Sequence, residues 1–250
     1  MINKSQNIFI SFTKKKGQIA VLIDPEKAQN ASQLKELIEK AVFAKIDYFF
    51  VGGSTVTRAE FEWTISFLRK NCSIPLIIFP GSNHQLSNKA DGLLYLSLLS
   101  GRNPDYLIGQ HITSAQEVFN LGIEILPTAY ILIDGGTKSS VAYVSQTTPV
   151  PKDQTGIAVK TALAGIMQGK KIVYFDAGSG AKNTVSTQII SSLREKVDPI
   201  IIVGGGIKNI TEIKDFKTAG VNIIVIGNKI EEELDFLLDV KEFIDKVEER

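Results

Sequence analysis

Eight short apolar runs recur along this 250-residue chain, and each is set off from the next by a more polar segment. They are QIAVLI (18–23), YFFV (48–51), PLIIFP (75–80), GLLYLSLL (92–99), ILPTAYILI (125–133), KIVYFDA (171–177), PIIIVGG (199–205) and NIIVIG (222–227). They are rich in Ile, Val, Leu and Phe and show little polar alternation. A strand with one wet face alternates, whereas a strand covered on both faces does not. Covered strands that alternate with helices favour one parallel sheet closed on itself. The expected fold is therefore α/β, a single-domain (β/α)8 TIM-like barrel over residues 1–250. Barrels of this length are routinely one domain.

The connecting segments carry helical periodicity. SQLKELIEKAVFA places Leu34, Leu37, Ile38 and Ala41 on one stripe, with Ser32 as the expected N-cap. The tail EEELDFLLDVKEFIDKVEER repeats Leu234, Leu237, Leu238, Ile244 and Val247 on a similar face behind an acidic first turn. One unit breaks the rhythm. GSNHQLSNKAD, after the third run, is polar and too short for a helix that crosses two strands, so the third βα unit should be irregular. The stretch 134–156 is longer than a barrel loop needs, which suits a lid or an interface piece. Tyr143 within it suits either a subunit contact or a loop anchor packed on its own barrel.

Composition narrows the function. The formal net charge is +1, too balanced for a general nucleic-acid binder, which needs a basic excess. A single cysteine, Cys72, permits no internal disulfide and fits a reducing cytoplasm. Its apolar neighbourhood reads as half-buried packing rather than a catalytic thiol. MINKSQNIFISFTKKKG does not read as a signal peptide, and the apolar runs are too short to span a bilayer. Contact with a membrane surface stays compatible with this composition.

In such a barrel the chemistry sits where the strands end. Asp24, Gly52-Gly53-Ser54-Thr55, Gly81-Ser82, Gly101-Arg102, Asp134-Gly135-Gly136, Asp176 to Gly180, Gly204-Gly205-Gly206 and Gly227-Asn228 follow the eight runs in turn. Gly178, Ser179 and Gly180, together with the glycines after runs 7 and 8, form an expected phosphate cup. Glycine lets backbone N–H groups come close to an anion, and helix N-termini favour negative charge. Asp176 lies beside this cup and is a candidate general base, or else a loop hydrogen-bonder. Asp24 with Ser54 or Thr55 makes a thin Mg²⁺ site, adequate where substrate phosphates and water complete the shell. Asp24 before Pro25 equally suits a turn. His84 and His111 have no metal-ligand spacing and read as hydrogen-bonding loop residues. Arg102 and Lys138 are placed to meet a diphosphate or simply to face solvent. Phe61 and Trp63 read as helix packing.

Taken in order, LIDPEK, VGGST, PLIIFPGS, LLYLSLLSGRNP, ILPTAYILIDGG, YFDAGSGA, VGGGI and IGN resemble the geranylgeranylglyceryl phosphate synthase family of prenyltransferases. The likeness runs from Leu22 to Asn228 and is nearest the LIDP branch. It implies ether formation between sn-glycerol 1-phosphate and a polyprenyl diphosphate, with geranylgeranyl diphosphate the foremost donor. It also implies Mg²⁺ at Asp24 and Ser54, and a homo-oligomer. The family's glycerol phosphate loop falls on Tyr174, Phe175, Asp176, Ala177, Gly178, Ser179 and Gly180, completed by Gly205, Gly206, Gly227 and Asn228. One departure stands out: the family usually has glutamate where this chain has Asp176. A reach shorter by about 1.5 Å can cost about a hundredfold in rate. Two other readings follow: a barrel that binds glycerol phosphate or prenyl lipid without turnover, and a metal-independent isomerase.

Overall fold

The computed structural model of the chain describes residues 7–248, with side chains as far as residue 246. Its strands are β1 (Gln18–Ile23), β2 (Tyr48–Val51), β3 (Leu76–Ile78), β4 (Gly92–Leu98), β5 (Glu124–Leu132), β6 (Ile172–Asp176), β7 (Ile200–Gly204) and β8 (Ile223–Ile226). All are parallel and pair in chain order. The register Gln18↔Ile223 to Val21↔Ile226 brings β8 back to β1 and closes the barrel. Each strand falls on one of the eight apolar runs. The helices are α1 (Ile8–Thr13), α2 (Ala31–Phe43), α3 (Arg58–Asn71), α4 (Gln110–Leu121), α5 (Ser140–Val144), α6 (Thr155–Met167), α7 (Thr187–Arg194), α8 (Ile210–Thr218), α9 (Asn228–Glu232) and α10 (Phe236–Glu248). A π-helical turn, Asp105–Gly109, leads into α4.

The missing polar alternation has a direct cause. Successive strand residues point to opposite faces, and here both faces are dry. Ile19, Val21, Phe49, Val51, Val173 and Phe175 pack outward under the helices. Ala20, Tyr48, Phe50, Tyr130, Ile172 and Tyr174 fill the barrel interior. This parity sends Asp176 inward as well, two residues beyond Tyr174.

The interior is stoppered at the N-terminal end of the strands by α1. Ile8 and Phe12 are buried among the inward residues, and the Phe12 ring meets Tyr48 edge-on at 5.0 Å. Polar groups at the strand starts hold the helix in place. Glu124 accepts from the amides of Ile8 (2.6 Å) and Phe9 (3.1 Å), while Gln18 and Asn222 donate to the Phe12 carbonyl.

Residues 79–91, between β3 and β4, contain no helix, as the short polar segment foretold. The buried Gln85 organises them. Its amide donates to the Gly53 carbonyl (2.8 Å) and accepts from the Gly81 amide (3.1 Å), clasping the loops after β2 and β3 together.

Three local expectations change. The N-cap of α2 is Asn30, not Ser32. Its side-chain oxygen accepts from the backbone amides of both Ser32 and Gln33, and Ser32 lies inside the first turn. The tail is two helices, because Glu233 turns extended (φ −145°) and ends α9. Within α10, Leu237 is buried but Leu238 is exposed, since the stripe restarts after the break. Val247 lies beyond the described side chains, and residues 1–6 and 249–250 lie outside the described residues. Tyr143, on α5, is 86% exposed and so does not anchor the long segment to its own barrel.

Candidate active site

A cleft of about 790 Å³ opens at the C-terminal ends of the strands. Asp24, Ser54, Tyr174, Asp176, Ser179, Gly180, Gly205, Gly206, Gly227 and Asn228 all line it, so the residues singled out after β1, β2, β6, β7 and β8 converge. The 174–180 segment divides by side-chain direction. Phe175 and Ala177 pack outward against the helices, and Gly178 contributes its backbone.

Asp176 is buried, and both of its oxygens are engaged. Oδ1 accepts from the Gly178 amide at 2.7 Å, and Oδ2 accepts from the Tyr130 hydroxyl at 2.6 Å. Burial pushes the carboxyl pKa up, and the bonds from Tyr130 and Gly178 pull against it. Tyr130, on β5, sits in register with Tyr174 and packs edge-on against it at 5.4 Å. Phe79 completes the wall, stacked on Tyr174 at 5.1 Å and edge-on to Tyr130 at 5.7 Å.

The glycine loops come close enough to explain their composition. Gly205 has φ +83°, and a Cβ there would sit 2.7 Å from the Gly178 backbone and 2.8 Å from Asp176 Oδ1. Asn228 ties loops 6 and 8 together, its Oδ1 accepting from the Gly180 amide (2.8 Å) and the Ser179 hydroxyl (3.0 Å). Among the described residues, the amides of Ser179, Gly205 and Gly206 have no backbone or side-chain acceptor. Lys182 and Lys208 add positive charge to this rim. The sequence reading missed both.

Across the cleft, Asp24 Oδ1 accepts from the Glu26 amide at 3.1 Å. A Cβ at Gly53 would lie 2.8 Å from the same oxygen, so glycine there makes room for the carboxylate. Burial raises the Asp24 pKa, and the Glu26 amide and the Lys27 charge oppose that rise. Glu26 accepts from Thr55, and Lys27 pairs with Glu231 at 2.7 Å. Among the described residues, no three His, Cys, Asp or Glu side chains gather into a metal cluster.

An apolar groove of about 90 Å³ runs off this cleft between the β3–β4 loop, β4 and α4. Leu86, Leu93, Leu94, Leu98 and Val118 line it, and the lack of a helix between β3 and β4 leaves it room. Ser54, Pro80, Gly81, Leu96, Tyr130 and Val141 border both spaces.

The remaining candidates lie elsewhere. His111 is on α4, not in a loop, because the π-helical turn starts that helix early. It stacks on Tyr95 at 3.9 Å, hydrogen-bonds the Leu96 carbonyl and lines the groove. His84 is a loop residue bound to the Val56 carbonyl at 2.9 Å. Arg102 donates to nearby carbonyls and Lys138 is exposed; neither lines the cleft. Phe61 is fully buried in helix packing, and Trp63 stacks on Phe67. Cys72 is half-buried with its thiol pKa raised by burial, which suits packing rather than a thiolate.

Fold and cleft together define a (β/α)8 barrel whose working rim joins a polar, glycine-lined cleft to an apolar groove. Residues 11–247 match the PcrB family, and the chain belongs to that family. It is 46% identical over 249 residues to the geranylgeranylglyceryl phosphate synthase of Chitinophaga pinensis, covering 99% of this chain and 97% of the relative. It is 46% identical to the enzyme of the same name from Zunongwangia profunda, covering 85% and 90% of the two chains. The crystal structure of (S)-3-O-geranylgeranylglyceryl phosphate synthase from Thermoplasma acidophilum, in complex with its substrate sn-glycerol-1-phosphate, superposes with a TM-score of 0.89 at 29% identity, covering all of both chains. The family drawn from the sequence motifs is thereby borne out.

Proposed function

We propose that this protein is a prenyltransferase that joins the C3 hydroxyl of sn-glycerol 1-phosphate to a polyprenyl diphosphate and releases diphosphate. The observation that carries this reading is the continuity of the polar cleft with the apolar groove. One rim offers glycine loops with unengaged amides, a buried carboxylate and a largely apolar groove. The relatives' names and the substrate bound in the Thermoplasma acidophilum enzyme support the choice of both substrates.

In this mechanism the amides of Ser179, Gly205 and Gly206 hold the phosphate, with Gly227 and Asn228 closing the cup. That anchors the far hydroxyl towards Asp176, the proposed general base. The hydroxyl oxygen attacks C1 of the prenyl donor while its proton moves to the protein, and the C1–O bond to diphosphate breaks. Proximity and orientation supply much of the rate, because both reactants are held on one rim.

The Asp24 side suits a hard divalent ion that keeps most of its water. It offers a carboxylate with one uncommitted oxygen and the Ser54 hydroxyl, rather than a full protein shell. Asp24 and Ser54 would hold Mg²⁺ together with oxygens of the donor's diphosphate. The ion would neutralise charge on the leaving group. Asp24→Ala is expected to raise the Mg²⁺ concentration for half-maximal rate by about tenfold or more. A magnesium titration of both proteins checks this, and an unchanged half-point removes Asp24 from the site.

Ile108, Ile112, Phe119 and Tyr143 are exposed on the π-helical turn, α4 and α5, which supports a homo-oligomer or contact with a membrane surface as part of this reading. No helix among the described residues is long and apolar enough to cross a membrane. The deciding experiment offers polyprenyl diphosphates of several lengths with sn-glycerol 1-phosphate and Mg²⁺, and identifies the product by mass. An ether is expected, with geranylgeranyl diphosphate the leading donor. No ether with any donor rejects the reading in favour of a barrel that only binds.

A further inference from the structure

We propose that Tyr130 is a catalytic proton relay, its phenol oxygen taking the proton of the glycerol phosphate hydroxyl as its own proton passes to Oδ2 of Asp176. The proposal rests on the transferase reading above and names the group that meets the reacting oxygen.

Three observations carry it. First, both oxygens of Asp176 already accept hydrogen bonds, from the Gly178 amide and the Tyr130 hydroxyl. Second, the reaction joins an oxygen held in the cleft to a carbon held in the groove, so the proton acceptor belongs at their seam. Asp176 borders the cleft alone, whereas Tyr130 borders both spaces. Of the residues at that seam, only Ser54 and Tyr130 carry a side-chain hydroxyl, and Tyr130 is the one bonded to a carboxylate. Third, the Tyr130 ring is fixed edge-on against both Phe79 and Tyr174, so its oxygen is held in place before substrate arrives.

The step balances. The alcohol O–H bond breaks, the ether O–C1 bond forms, and the electron pair of the C1–diphosphate bond leaves with diphosphate. Tyr130 gives up one proton and gains one, ending as a phenol. Asp176 ends as the neutral acid. Burial and the neighbouring Asp176 charge hold the phenol pKa well above its usual range, so no free tyrosinate forms and the two protons move together.

The test is Tyr130→Phe measured in two backgrounds. Alone, it is expected to lower kcat by about a hundredfold with little change in KM for glycerol phosphate. In Asp176→Glu, a carboxylate carried about 1.5 Å further by one extra C–C bond meets the hydroxyl directly. There the same substitution is expected to cost less than about tenfold. Single-turnover rates of the unsubstituted protein in H₂O–D₂O mixtures are expected to curve downward, as two protons in flight require. That measurement stands even if Tyr130→Phe folds poorly. An equal loss in both backgrounds, or a linear isotope plot, assigns Tyr130 a packing role and overturns the relay while leaving the transferase intact. Failure of the unsubstituted protein to make any ether overturns the transferase reading and the relay with it.

Discussion

Replacing Asp176 by Asn is expected to lower kcat by about a thousandfold while glycerol phosphate still binds. A positioned general base contributes about 10²–10⁴ to rate, and Asn keeps the shape without the basicity. The surroundings tolerate the change. The Asn carbonyl still accepts from the Gly178 amide, and its NH₂ donates to the Tyr130 oxygen, which turns from donor to acceptor. The amides assigned to phosphate lie on other residues, so binding measured by calorimetry should change little. A pH profile adds a second readout. The base works only when deprotonated, and burial raises the pKa of Asp176 above the ordinary aspartate range. For the unsubstituted protein, kcat/KM therefore falls as pH drops through that raised value, earlier than a solvent-exposed carboxylate would dictate. The Asn variant should lack this acid limb. Turnover by the variant near the normal rate would remove Asp176 from the chemistry.

Phe12→Ala is expected to destabilise the fold by about 3–5 kcal/mol, the usual cost of deleting a fully buried aromatic ring. Phe12 has no solvent exposure, meets Tyr48 edge-on and lies 6.4 Å from the Phe50 ring. The short helix that carries it cannot move inward to refill the space, because Glu124, Gln18 and Asn222 fix its two ends. The ring lies at the opposite end of the barrel from the cleft, so kcat/KM of the folded fraction should hold. Urea unfolding checks this through a lowered midpoint at unchanged slope. A loss below about 1 kcal/mol would mean that α1 is not part of the core.

The strands were legible because a sheet covered on both sides leaves no polar alternation, and all but the fourth run end where Gly, Pro or Asp interrupts them. The helixless third unit was legible from its length alone. Residues whose roles depend on partners distant in sequence were less so. Tyr130 looks like one more core aromatic within ILPTAYILI until its register with Tyr174 brings it to Asp176. The one available signal was a polar-tipped ring at an inward position, two residues before the strand's last residue, Leu132. Gln85 was equally hidden, since its clasp spans 32 residues to Gly53. Helix α1 went unread because six residues, Ile8–Thr13, are too few to display a helical period. Asn30 and Ser32 both carry side chains that suit a cap, and only backbone geometry separates them.

With its floor sealed by α1, the barrel is a cup with a single lip. For an enzyme of the proposed kind, a water-soluble phosphate ester, an oily donor and the joined product all cross that same lip. The product straddles the two chambers, head in one and tail in the other. Unloading then requires both ends to let go, so a detergent micelle or vesicle that draws out the tail should quicken the cycle without touching the bond-making step.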